Sequence, residues 1–205
     1  RFVPLLTTVA LACSAPVAGG AKTGAAPASD GLIHATPALW AVQDADTTIY
    51  LFGTVHMLKP DVRWFEGDVK AAFDRSDTLV IEVAQGDPAK LATTFARLAT
   101  NQGDPPASQA LTPQQSARYA AALKTYHIPA EAMERVDPWL IAINLSVAPL
   151  LQLGYQQDLG ADKLLEAAAT QSGKQVIGLE SAEEQLGIFD ALPRKVQIDY
   201  LNATL

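Results

Sequence analysis

Residues 48–56 read Thr48-Ile49-Tyr50-Leu51-Phe52-Gly53-Thr54-Val55-His56, a β-rich run that ends on a glycine and delivers a histidine three residues later. Upstream, Leu39-Trp40-Ala41-Val42 is a second β-rich run, and the turn formers Asp44, Ala45 and Asp46 lie between the two. The pair predicts a hairpin. Downstream, Trp64 to Arg75 spaces Phe65, Val69, Ala72 and Phe73 as a helical stripe. Thr78-Leu79-Val80-Ile81 is then a continuous apolar run ending in Glu82-Val83. Such a run suits a central strand buried on both faces. Strand, helix and strand in that order make a βαβ-like unit.

The middle of the chain reads as helical. Pro88 to Thr100 predicts one helix, and Gly103, Pro105 and Pro106 mark a loop over 101–110. Thr112-Pro113 sets an N-cap before a helix-starting proline and opens Gln114 to Tyr126. Asp137-Pro138 repeats the device ahead of the apolar stretch Trp139 to Leu153. Gly160-Ala161-Asp162 precedes a helix over Lys163 to Gln171, with Gly173 closing it. Gln175-Val176-Ile177-Gly178-Leu179 is a third central-type strand ending at Glu180. Ser181-Ala182-Glu183-Glu184 fits a capping box and starts a final pair of helices around Pro193. The order predicts an α/β fold, with α+β left open, in which a mixed central sheet carries helical insertions. Trp40, Trp64 and Trp139 are expected in its core.

The chain has 205 residues, of which 49% are hydrophobic and 18% charged, so it can bury a sizeable core in one domain. Its formal net charge of -7 comes without any basic stripe, which sets nucleic acid aside. Cys13 is the one cysteine, so an internal disulfide and a cysteine-based zinc cluster are excluded. Val3 to Cys13 is apolar behind Arg1, and Ala15 to Gly31 is rich in small residues. Residues 1–37 are therefore expected to be a signal peptide and flexible linker, and the protein to be exported. Ala10-Leu11-Ala12-Cys13 loosely resembles a bacterial lipobox, with Ala10 where leucine is expected. The product would be periplasmic, or lipid-anchored through Cys13. No later stretch is long and apolar enough for a spanning helix, so membrane contact is expected only through that anchor.

His56 is the leading candidate for chemistry. A strand end is where α/β folds place reactive groups, and Gly53 would let the backbone turn sharply or a ligand approach closely. Neutral imidazole is a common metal ligand and a general base near neutral pH. The plainer alternative is a histidine bonded to a backbone carbonyl at a strand–loop junction. Glu82 sits near the end of the second strand, where a carboxylate must be paired, hydrogen-bonded or metal-bound. Glu180 closes the third strand in the same way, or serves the following helix N-terminus. If the three strands are parallel neighbours, His56, Glu82 and Glu180 converge and can hold a divalent ion with positions open for water. Asp162 reads as an N-cap ahead of a ligand, and Glu183 and Glu184 as capping residues. Arg63 and Arg135 read as solvated surface, though either could bind an anion. Nothing is expected of His34, and a helix-end contact of His127. Serine-elbow, HExxH, P-loop and dinucleotide motifs do not occur.

Four separated stretches together resemble one family, TraB/GumN. They are Leu39-Trp40-Ala41-Val42 with Thr48 to Leu58, Asp77 to Val83, Gly160-Ala161-Asp162, and Gly178-Leu179-Glu180-Ser181-Ala182-Glu183-Glu184-Gln185. The resemblance runs from about Leu39 onward. It implies a fold related to erythromycin-esterase and ChaN-like proteins, and kinship with the TIKI metal-dependent peptidases that trim Wnt. It further implies a divalent metal, Mn²⁺ or Co²⁺ ahead of Zn²⁺, and a peptide or small polypeptide as substrate. The family pattern has two Gly-x-x-His motifs and a glutamate. His56 fills the first, Glu82 matches the glutamate, and no Gly-x-x-His follows His56. The domain over 38–205 is accordingly expected to be incomplete at its C-terminal end. Two functions follow as expectations. One is a metal-dependent hydrolase, with His56 a metal ligand and Glu82 a ligand or general base. The other is a non-catalytic module that sequesters a peptide or envelope partner, as the pheromone-shutdown relatives would suggest.

Overall fold

The computed structural model describes residues 31–84, 88–101 and 103–205. Residues 1–30 of the expected signal and linker segment, with Cys13 and its lipidation, lie outside the described residues. Strands β1 (Ile33–His34), β2 (Leu39–Gln43), β3 (Thr48–Phe52) and β4 (Val62–Arg63) come first, then α1 (Gly67–Arg75) and β5 (Thr78–Val83). Helices α2 (Pro88–Ala99), α3 (Pro113–Thr125), α4 (Ala130–Met133), α5 (Pro138–Gln152) and α6 (Ala161–Gln171) follow. Strand β6 (Gln175–Glu180) and helices α7 (Ala182–Asp190) and α8 (Arg194–Thr204) complete the described order. The class is mixed α/β, as expected. No helix among the described residues is long and apolar enough to cross a membrane.

The hairpin forms where the sequence puts it. β2 and β3 are antiparallel, with Trp40 opposite Leu51 and Val42 opposite Ile49. Asp44 closes the turn by accepting from the backbone N–H of Asp46 at 3.2 Å and of Thr47 at 2.8 Å, the local bonding that makes aspartate a turn former. β5 and β6 pair in parallel across the intervening helices. The expected single central sheet is instead distributed, among the described residues, over three two-stranded ladders: β1–β4, β2–β3 and β5–β6.

Three hydrophobic clusters hold the elements. Trp64, Val69, Phe73, Ala161, Leu165 and Ala169 join α1 and α6, with Phe52, Leu58, Leu79 and Val176 packed against them. Tyr119, Leu123, Ile141, Leu145, Ile198 and Leu201 join α3, α5 and α8. Trp139, Leu140 and Leu98 join α5 to α2, where Trp139 stacks on Phe189 of α7 at 5.8 Å between ring centres.

Several expectations need correction. Trp64 and Trp139 are core, but Trp40 is 60% exposed. It shares one face of the hairpin with Val42, Ile49 and Leu51, each more than half exposed. Both faces of this hairpin are apolar, so the period of two could not say which is covered. β5 and β6 are likewise buried on one face only: Val80, Ile177 and Leu179 are exposed on the other. His34 does not lie in an unstructured stretch. It is in β1, with Nδ1 2.6 Å from Glu66 Oε1.

Candidate active site around His56

The turn after β3 carries Gly53 to Leu58, and the segment leading into α6 clamps it. Leu58 and Gln156 exchange backbone hydrogen bonds of 3.2 and 2.9 Å, and the Ala161 N–H donates to the Val55 carbonyl at 2.8 Å. Leu58 and Ala161 both belong to the cluster around Trp64. Lys59 adds a cation–π contact, 5.2 Å from the Tyr155 ring centre. Sequence-distant segments are thus fixed against each other by backbone bonds and buried apolar area together.

Between them Gly160 has no room for a side chain. A Cβ there would lie 2.5 Å from the His56 carbonyl oxygen and 2.8 Å from Asp162 Oδ1. Its φ is an ordinary -54°, so the requirement is steric rather than conformational. Gly53 is different. A Cβ at that position would meet nothing within 4 Å, and its φ is not positive. Within the protein, close backbone approach thus demands a glycine at position 160 and not at 53.

Asp162 is not the N-cap; Gly160 is, and Asp162 sits in the first turn of α6. There the positive end of the helix dipole favours a carboxylate. Asp162 Oδ2 lies 3.2 Å from His56 Nδ1. The histidine side chain is 70% exposed and the aspartate 29%. Asp162 Oδ1 is buried with no hydrogen-bonding protein group in reach. The two residues are 106 positions apart (162 − 56 = 106), and their contact is what the clamp produces.

The other expected members fall elsewhere. Glu82 is exposed near the end of β5 and accepts a hydrogen bond from the Gln185 side chain of α7. Glu180 is exposed at the end of β6, in register with Val83. Side chains alternate along a strand, so Glu180 shares the face of Val83 and Ile81, and Glu82 lies on the opposite face. β3 is paired with β2 and not with β5, so the three expected ligands are not gathered by one ladder. Among the described residues, no three His, Cys, Asp or Glu side chains come together as a metal-holding group.

Of the remaining candidates, Arg63, Glu183 and Glu184 have side-chain partners. Arg63 Nη1 donates to the Pro60 and Val62 carbonyls, and the Arg135 carbonyl accepts from the Asn101 N–H. His127 follows α3 with a left-handed φ of 55°. Glu184 completes the capping box with Ser181, and Glu183 instead pairs with Arg97 at 2.5 Å. The Ser181 N–H and hydroxyl hold the Glu184 carboxyl below its usual range. Burial, followed by the nearby Asp190 carboxylate, pushes Asp137 up. One spacing passed over in the sequence is Gly31-Leu32-Ile33-His34, also Gly-x-x-His, whose histidine meets Glu66.

The model for the family described as TraB/PrgY/gumN matches residues 38–205. The chain is 29% identical over 165 residues to an uncharacterized protein, YbaP, of Escherichia coli (strain K12), covering 78% of this chain and 58% of that one. It is 30% identical over 152 residues to the uncharacterized YbaP of Shigella flexneri, covering 71% and 53%. The chain thus spans little more than half the length of the curated relatives it matches. No solved structure matches it.

Proposed function

Since the chain belongs to the TraB/PrgY/gumN family, we propose that it contributes His56 to a metal-dependent hydrolytic site acting on peptides in the bacterial cell envelope. The observation that carries the proposal is the clamp that fixes an exposed imidazole against a helix-terminal carboxylate. A solvated surface histidine needs no such scaffold, whereas a ligand or base must be held in place. The envelope location rests on the apolar run Val3 to Cys13 and the small-residue stretch after it.

Imidazole and carboxylate are donors suited to a borderline divalent ion, Mn²⁺ or Co²⁺ ahead of Zn²⁺ in this proposal. The fit is partial, because the described residues offer His56 with Asp162 beside it but no third donor. When bound, such an ion would supply a water of lowered pKa and a polarised carbonyl. His56 would offer a nitrogen lone pair at the mouth of the site. Glu82, steadied by Gln185, is the carboxylate proposed to accept a proton from water. Glu180, on the opposite face of its ladder from Glu82, has the weaker claim to a role.

A second function is favoured by the incomplete donor set: a non-catalytic module that sequesters a peptide or an envelope partner. Elemental analysis after dialysis, on the protein and on His56→Ala, separates the two. A hydrolase requires near-stoichiometric Mn, Co or Zn that disappears in His56→Ala, and metal-dependent cleavage in a peptide screen. Protein that stays empty when Mn²⁺ and Co²⁺ are supplied, while still retaining a peptide, would leave the sequestering module.

A further inference from the structure

We propose that Gly160 and Gly178 are positioning residues that seat the segments of His56 and Glu82 on one template, the stretch 160–178 formed by α6 and the start of β6. What the two seats serve rests on the function proposed above, but the seats themselves do not.

Of nine described glycines, seven would meet nothing within 4 Å if given a Cβ. The two exceptions are Gly160 and Gly178. A Cβ at 160 would lie 2.5 Å from the His56 carbonyl oxygen and 2.9 Å from the carbonyl carbon. A Cβ at 178 would lie 2.8 Å from the Ala84 nitrogen and 3.2 Å from the Ala84 Cβ. Neither glycine has a positive φ, so neither is required by its own backbone conformation. Each is required by a neighbour, and each neighbour belongs to a segment that carries a proposed site residue. The first is His56 itself, and the second closely follows Glu82.

Both seats belong to regular, packed elements. α6 begins directly after Gly160, and Gly178 pairs with Ile81 inside the β5–β6 ladder. Ala161, Leu165 and Ala169 of α6 are buried, with Leu79 of β5 and Val176 of β6 packed against their cluster. The Ala161 N–H holds the Val55 carbonyl at 2.8 Å, and the ladder runs on to Val83 and Glu180. A packed interior gives little slack. A side chain placed in either seat therefore has to move the backbone resting there. Gly160→Ala displaces the His56 turn, and Gly178→Ala displaces the end of β5 with Glu82. Helices and strands that hold reacting groups in place are what a precise site needs.

The test is heteronuclear correlation of the full chain, ¹³C- and ¹⁵N-labelled. The His56 ring signal is assigned by its loss in His56→Ala. The Gln185 side-chain amide, the donor to Glu82, is assigned by its loss in Gln185→Ala. The expected result is that Gly160→Ala moves the His56 signal by more than its line width and leaves that of Gln185, while Gly178→Ala does the opposite. Leu145→Ala, in the cluster of α3, α5 and α8, should lose stability and move neither signal. Unmoved signals in the folded glycine variants overturn the proposal, as does equal movement in Leu145→Ala. Should a glycine variant not fold, the unmodified chain decides. Nuclear Overhauser contacts from Gly160 Hα to the Met57 N–H and from Gly178 Hα to the Ala84 N–H sustain the proposal, and their absence overturns it. Peptide cleavage is measured in parallel, where a displaced reacting group should cost about a hundredfold in kcat with KM nearly unchanged. Moved signals without cleavage by any of the proteins sink the hydrolase and leave this proposal standing, while cleavage with unmoved signals does the reverse.

Discussion

At the scale of single residues, Gly160 separates two reasons a glycine can occupy a position. Five described glycines adopt positive φ, and Gly160 is not one of them. Its side-chain space is filled by the His56 carbonyl and the Asp162 carboxylate. Gly160→Ala should therefore act by overpacking, which typically costs about 1–3 kcal/mol, and the urea midpoint should fall accordingly. Gly53→Ala, with open space around it, should leave that midpoint nearly unchanged. Equal losses in the two would show that the approach at Gly160 is not tight in solution. His56→Ala removes a side chain that is 70% exposed. Surface changes of that kind usually stay within about 0.5 kcal/mol, so lost function in this variant would not be a folding effect.

At the scale of elements, α7 depends on its capping box. Ser181 accepts from the Glu184 N–H at 3.2 Å, and the Glu184 carboxylate accepts from the Ser181 N–H and hydroxyl at 2.8 Å each. These bonds hold the Glu184 carboxyl below its ordinary value of 4.5. A lowered folded pKa means the folded state favours the carboxylate, so this contribution is present above about pH 4.5 and is lost as pH falls through the folded value. Ser181→Ala should cost about 0.5–2 kcal/mol at neutral pH, as loss of an N-cap hydroxyl does, and should lose less further stability on acidification. Urea titrations of both proteins at neutral and acidic pH check this; parallel curves would argue against the cap. α7 also presents Gln185 to Glu82, so the cap lies one element away from the proposed site.

At the scale of the whole molecule, α5 is the hub. Trp139 is fully buried at its start, against α2 and the Phe189 ring of α7. Ile141 and Leu145 face α3 and α8. Trp139→Ala should cost about 3–5 kcal/mol through the cavity it leaves, seen as a shift of the single urea transition. Trp139 Nε1 is buried with no hydrogen-bonding protein group in reach, and a buried unmet donor is itself costly. Trp139→Phe removes that donor while keeping most of the ring, so it should cost much less than Trp139→Ala. Equal costs would mean that ring volume is not what matters at this hub.

What the sequence determined was local. The hairpin followed from turn chemistry at Asp44 to Asp46 between two β-rich runs. The helix starts followed from Thr112-Pro113, Asp137-Pro138 and the Ser181–Glu184 box, and strands β5 and β6, though not their pairing, from two continuous apolar runs. The family was legible because Thr48 to Leu58, Asp77 to Val83, Gly160 to Asp162 and Gly178 to Gln185 occur in order. His56 was legible as a candidate because its motif follows a strand. What only the tertiary structure decided was which groups meet. Asp162 passed for a helix cap, since the first turn of a helix and a partner for a distant histidine call for the same residue. Glu82 and Glu180 looked alike, since two strand-end glutamates differ only in register, and the pairing of Val83 with Glu180 sends them to opposite faces. Trp40 looked like core, since a strand apolar on both sides does not say which side is covered. Hydrophobic period and cap chemistry act within a few residues, whereas the His56–Asp162 contact spans the chain and exists only where backbone bonds and packing close it.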